Sequence, residues 1–266
     1  MRQPEQTKKG LVVVRTYPVP EDEGVESSCT ALITEQREWL RLFPLPYRYL
    51  PQHQRFQKYQ WIEVIVTKSS DTRAESYKPK DDSIKILTPP LSTDNSWQAR
   101  KEAVFPLRAQ SLCDLDRQRK HNSYPTLGFF RPKKIDQLLI HETVPNWTPK
   151  QLDILRQEHL FLKRPTQELE KIPYWFRYEF TCDDSECDGH TMMCADWEIG
   201  EAYRSWKQKY GEGWEAPFRQ KFETEIIQEK DTHFFVGTMK QYPWTWIIIG
   251  LFYPPIPRQG EIIFPQ

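Results

Sequence analysis

Tyr174-Trp-Phe-Arg-Tyr-Glu-Phe-Thr181 alternates aromatic and polar residues, as a strand does. It runs without a break into Cys182-Asp-Asp-Ser-Glu-Cys187-Asp-Gly-His190-Thr-Met-Met-Cys194. Three thiols and an imidazole so close together are ligand types that suit a divalent ion, zinc above all. The Cys-x4-Cys-x2-His-x3-Cys spacing is close to that of zinc knuckles. Gly189 supplies the positive φ that such a loop needs to turn. His190 and Cys194 are four apart and share one face of the helix that the pattern predicts over residues 190–210. Four ligands close a tetrahedron, the mark of a structural site. Cys182, Cys187, His190 and Cys194 are therefore the expected zinc ligands, with His233 as the substitute for Cys194. Uncoordinated core thiols are the plainer alternative.

Around this knuckle the chain divides. Upstream it reads as short strands over residues 11–16, 28–34, 38–43, 58–67, 83–88, 126–131 and 135–141, with a helix over residues 94–104. Thr148-Pro-Lys-Gln151 is a capping box with proline at the first helical position, and predicts a helix to about residue 161. Downstream of the knuckle come helices over residues 190–210 and 216–230, then strands over 233–239 and 246–252. The implied fold class is α+β: a β-rich OB-like barrel over residues 1–147, then an α+β domain over residues 148–266 carrying the knuckle.

Composition limits what the chain can be. At 38% hydrophobic and 28% charged it has the balance of a globular protein. The 22 prolines against 10 glycines favour short strands and stiff connections over long helical bundles. Residues 1–10 are polar and hold no signal-peptide core, and the apolar run over residues 244–253 is too short to span a bilayer. Five cysteines in such a chain argue for reduced thiols or metal ligands, and so for the cytoplasm. No P-loop, GxGxxG, GxSxG or HExxH motif occurs.

Formal net charge is zero but unevenly spread. Residues 1–147 hold 23 Lys and Arg against 18 Asp and Glu, and residues 148–266 hold 14 against 19. Over residues 37–61 cations and aromatics interleave, the composition with which small β-barrels hold single-stranded nucleic acid. Arg41, Arg48, Lys58, Arg119 and Lys133 are the expected phosphate contacts and Tyr47 a stacking platform. Two alternatives stand beside this: tryptophans that are simply core, and two oppositely charged halves that attract each other.

Cys29-Thr-Ala-Leu-Ile33 followed by Glu38-Trp-Leu-Arg-Leu-Phe-Pro44 resembles prokaryotic proteins with paired OB-type barrels. These carry a Cys-x-Ala-Gly-Ile-like strand and a Trp-Ile-Arg-Pro-like strand, and occur among mobile-element and phage-conflict systems. Leu32 stands where that pattern has Gly, and Leu-Phe intervenes before Pro44. The resemblance covers at most the first 140 or so residues and implies nucleic-acid binding in a defence or mobile-element setting. The tract over residues 176–255 looks like uncharacterised bacterial proteins.

Two rival functions use other residues. Asp196, Glu198, His233 and Lys240 have the side chains of a metal-dependent nuclease, although acidic residues at a helix start also suit the macrodipole. An adaptor that only holds partner proteins would use the Trp-rich strands near the C-terminus.

Overall fold

The computed structural model describes residues 4–21, 26–71, 73–156 and 167–256. The first half forms five main strands: β1 (Gln6–Arg15), β2 (Glu26–Ile33), β3 (Trp39–Leu45), β4 (Trp61–Lys68) and β5 (Ser76–Pro79). They run in the order β1-β2-β3-β5-β4, and β4 closes back onto β1. All neighbours are antiparallel except β3 and β5, where Arg41 and Leu42 pair in parallel with Ser76 and Tyr77. This is the OB order, so the β-rich N-terminal barrel expected from the sequence is present.

Strand alternation explains its core. Val12, Leu32, Leu40, Leu42, Ile62, Val64 and Val66 point inward and fill the barrel. Their neighbours Leu11, Val13, Ala31 and Ile33 point outward and are equally buried, because a second layer covers them.

That layer belongs to the second half, which is α+β. Helices α1 (Asp94–Val104) and α2 (Leu112–Asn122) lead into β6 (Leu127–Phe130) and β7 (Lys134–Glu142). Helix α3 (Pro149–Arg156), β8 (Tyr174–Thr181), β9 (His190–Met193) and α4 (Trp197–Tyr210) follow. Helix α5 (Glu215–Arg219) continues as a π-helix over Gln220–Glu229, before β10 (His233–Thr238) and β11 (Trp246–Phe252). Strands β7-β8-β9 form one sheet and β11-β10-β6 another. A parallel bridge between Cys194 and Ile248 joins the ends. With β6 and β7 taken as one strand bent around residues 131–133, the second half repeats the order of the first: strands 1-2-3-5-4, closed, with the third and fifth parallel.

The two barrels meet through one apolar layer. The outward face of β1 and β2 packs on Leu127, Phe129, Phe235, Ile249 and Phe252 of the second barrel, with Trp39 edge-on to Phe235 at 6.2 Å. Charges seal the rim, as Lys58 pairs with Asp196 at 3.2 Å and Glu198 at 3.1 Å.

Two expectations need correction. The predicted boundary after residue 147 cuts through the second barrel, since β7 pairs along its length with β8. The helix predicted over 190–210 starts later: His190 and Met192 pair with Phe180 and Tyr178 as sheet, and Asp196 caps α4 by accepting from the Glu198 N–H at 2.9 Å. Burying Met192 in the barrel outweighs the helix preference of this segment. The capping box is as read, with Thr148 and Gln151 each accepting the other's N–H. Its helix is described to Arg156, and the remainder to 161 lies outside the described residues.

Candidate metal centre and the open barrel face

Cys182 follows the last residue of β8, and its N–H donates to Cys187 Sγ at 3.1 Å. The loop between them is tied by Asp184, whose carbonyl accepts from Cys187 N at 3.2 Å and whose Oδ1 accepts from Glu186 N at 3.0 Å. Gly189 then turns the chain at φ +92, a region costly for other residues. This places His190 at the start of β9 with its Nε2 3.4 Å from Cys187 Sγ.

The fourth member comes from elsewhere. Cys113, in the first turn of α2, lies with its Sγ 3.3 Å from His190 Nε2 although 77 residues separate them in sequence. Ser111 caps that helix, its Oγ accepting from Asp114 N at 2.9 Å. Helix α2 sits tight on the second barrel because Gly128 has no side chain: a Cβ there would lie 2.4 Å from Leu115 Cδ1. Arg117 of the same helix holds Asp184 of the loop at 2.7 Å.

The ligand atoms of Cys113, Cys182, Cys187 and His190 all lie within 4.8 Å of one another, so the cluster can hold a metal ion. Zinc bond lengths set a tetrahedral S···N edge of about 3.6 Å, against the 3.3 and 3.4 Å found. Burial and the neighbouring Cys182 push the Cys113 thiol up to about 12, and burial also raises Cys182. Burial opposes ionisation at Cys187 too, but the N–H groups of Cys182 and Gly189 outweigh it and lower that thiol. Three thiolates here need a cation to coexist.

Cys194 lies outside this cluster. It lies four residues along the extended chain from His190, about 13 Å away at strand rise. It is buried, and its N–H donates to Phe176 O at 2.8 Å. His233, the substitute, is packed between Phe105, Phe129 and Phe252. Cys113 was missed because nothing local links it to the knuckle, although Ser111-Leu-Cys-Asp114 is a readable helix start.

The buried His233 imidazole titrates at about 4, held down chiefly by desolvation. Unfolded, it takes up a proton near pH 6.5, so between these values the unfolded state binds more protons. Stability therefore falls as pH drops from about 6.5 to about 4, by about 3 kcal/mol from this group. Chemical denaturation at pH 7.5 and 4.5 checks it: His233→Phe loses that share of the acid destabilisation.

Most residues expected at a nucleic-acid surface do internal work. Arg41 is 1% exposed and donates to Thr126 O at 2.8 Å across the barrel junction, beside Glu75 at 3.8 Å. Lys58 is 9% exposed between Asp196 and Glu198. Arg48 reaches Glu26 at 3.1 Å and the Gln167 carbonyl. Tyr47 donates to Phe56 O and lies under the Arg15 guanidinium. Arg119 is buried against the Pro243 carbonyl and Trp244. Lys133 is largely exposed, 3.3 Å from Asp183.

The four nuclease candidates are not gathered around one ion. Asp196 is fully buried, accepting from Glu198 N, Leu251 N and Lys58; Glu198 shares only the lysine. His233 stands in the aromatic junction, and Lys240 lies 6.0 Å from the Phe43 ring. Among the described residues the Cys113, Cys182, Cys187 and His190 cluster is the group of its kind that can hold a metal.

One barrel face is left open by the described residues. OB proteins take ligands on the face of strands 2 and 3 and on the loops that join strands 1 to 2 and 4 to 5. In the first barrel that surface is the buried junction. In the second, Leu138, Phe176, Tyr178 and Met192 point into the core, so His141, Trp175, Arg177 and Thr191 point outward. Trp175 is 49% exposed, opposite His141, with the Arg177 guanidinium 4.9 Å from its ring.

These features define a class: two OB-order barrels back to back, the second carrying a Cys3His cluster. The chain belongs to the family described as Domain of unknown function (DUF8757), whose model matches residues 108–265. Residues 6–106 match a second family, Domain of unknown function (DUF8758). Comparison with curated proteins gives no match. Among solved structures, one titled "Structure and Conformational Change of a Replication Protein A Heterotrimer Bound to ssDNA" is similar over 97% of this chain and 67% of that one, at 6% identity and a TM-score of 0.26. The fold assignment rests on the strand order above. No described helix is long and apolar enough to cross a membrane.

Proposed function

We propose that the protein binds single-stranded nucleic acid across the outer face of β7, β8 and β9, and that a zinc ion in the Cys3His cluster fixes the end of that barrel. The carrying observation is the half-exposed Trp175 beside Arg177 on an OB face that the described residues leave uncovered. An exposed indole offers a π-face on which any base can stack, and a neighbouring guanidinium serves phosphate or base plane. A folded interior gains nothing from leaving that much tryptophan in water. Zinc is the metal proposed because three sulfurs and one nitrogen gathered within 4.8 Å of one another match its ligand preference and would fill its four positions.

Fluorescence anisotropy of a labelled single-stranded oligonucleotide tests the reading. Affinity should fall steeply with added salt, as counterion release requires. Trp175→Ala should cost about 1–3 kcal/mol, and Arg177→Ala should lower the salt slope by about one. A flat signal at low salt with folded protein would end this reading.

A further inference from the structure

We infer that the cleft between helix α2 and the β10–β11 loop takes a single unstacked base, with Trp244 as its stacking partner. The inference rests on the single-strand reading and adds a second, separate contact to it.

The cleft has a volume of about 400 Å³ and is walled by Leu112, Met192, Trp244 and Trp246; Cys113 and His190 of the metal cluster form its inner end, and Asp116, Arg117 and Glu186 its polar edge. That size lies within the range of about 300–1,000 Å³ usual for small-molecule pockets. Trp246 is buried and fixed by its Nε1, which donates to Asp116 Oδ1 at 3.1 Å. Trp244 differs: it is 60% exposed, as is Tyr242 on the same loop.

An exposed tryptophan on a loop normally pays rotamer entropy on binding, but this one is preset. Arg119 donates to the carbonyl of Pro243, the preceding residue, and its guanidinium sits 5.0 Å from the Trp244 ring. Arg119 is itself 4% exposed and anchored to Ser123 O at 3.3 Å. Its buried charge therefore positions the indole rather than meeting ligand.

Charge at the cleft is mixed, Asp116 and Glu186 against Arg117, so the exposed aromatics select the occupant and the cations of α2 only assist. The exposed edge of α2 carries Arg117, Lys120 and His121, with Tyr124 just beyond. Arg117 and Lys120 pair with Asp184 and Asp116, yet both remain at least half exposed. Such surface pairs are worth about 0–1 kcal/mol, little enough for a phosphate to displace. Exposed aromatics set among replaceable cations suit a flexible polyanion with planar side groups.

The test is photocrosslinking of the full chain to single-stranded oligonucleotides carrying 5-iodouracil, one DNA and one RNA, with crosslinks mapped by peptide mass spectrometry. Crosslinks to Trp244 or Tyr242 are expected, and Trp244→Ala should weaken binding about tenfold with melting temperature and metal content unchanged. The DNA and RNA arms distinguish which backbone the site takes. Retained binding with crosslinks confined to other segments and no loss in Trp244→Ala overturns this inference alone. Absence of all binding removes the single-strand reading and this inference with it.

Discussion

Replacing Cys113 with serine is expected to leave the purified protein without stoichiometric zinc and to lower its melting temperature by roughly 10–20 °C. Cys113 ties a helix that precedes the second barrel to the loop between β8 and β9. Without it, three ligands remain and the ion keeps an exchangeable position. Metal affinity is folding energy wherever the unfolded chain lacks a preformed site, and its loss is among the few single changes that cost about 5 kcal/mol or more. Strong chelation of the wild type should reproduce the loss, and chelation of Cys113→Ser should add little. Cys194→Ser supplies the control: it keeps its zinc, because that thiol lies in the barrel core. Zinc retained in Cys113→Ser, or lost in Cys194→Ser, would contradict the ligand assignment.

Lys58→Met is expected to destabilise the fold by about 3–5 kcal/mol while leaving metal content intact. Burial opposes the Lys58 charge, but Asp196 and Glu198 outweigh this and hold its ammonium well above the usual range. Burial raises the Asp196 carboxyl, against which Lys58 is the chief counterweight. Removing the lysine strands a buried carboxylate that also caps α4 and accepts from Leu251 N. The double variant Lys58→Met/Asp196→Asn should recover part of the loss, since no buried charge then lacks a partner. Urea denaturation of the two variants measures both effects. A Lys58→Met protein as stable as wild type would show that the pair does not hold the junction.

The sequence is most legible where structure is local. The hairpin of β2 and β3, the capping box at Thr148 and strand β8 follow from alternation and turn chemistry over a few residues. Closure is not legible in this way. Arg41 meeting Ser76 and Cys194 meeting Ile248 are parallel contacts between distant segments, and no periodicity announces them. The second barrel was hidden for the same reason, read as helices and strands without its order. At the metal centre, Cys182, Cys187 and His190 sit within one loop and its flanks and were readable, whereas Cys113 arrives on a separate helix. Charge was the least dependable guide. Arg41 and Lys58 lie in an aromatic and basic tract that suits nucleic acid, but a whole barrel docks on that face and converts them into buried partners. For Lys58 the alternative reading, two halves drawn together by opposite charge, describes what the structure contains.

A single strand is expected to lie on the second barrel's open face and not on the first barrel. Protein carrying ¹⁵N-labelled tryptophan, titrated with an unlabelled single-stranded oligonucleotide and followed through its indole N–H signals, tests it directly. The Trp175 signal should shift in proportion to bound strand, while those of Trp39 and Trp61, packed at the junction, stay in place. Shifts at Trp39 and Trp61 with Trp175 unmoved would contradict it.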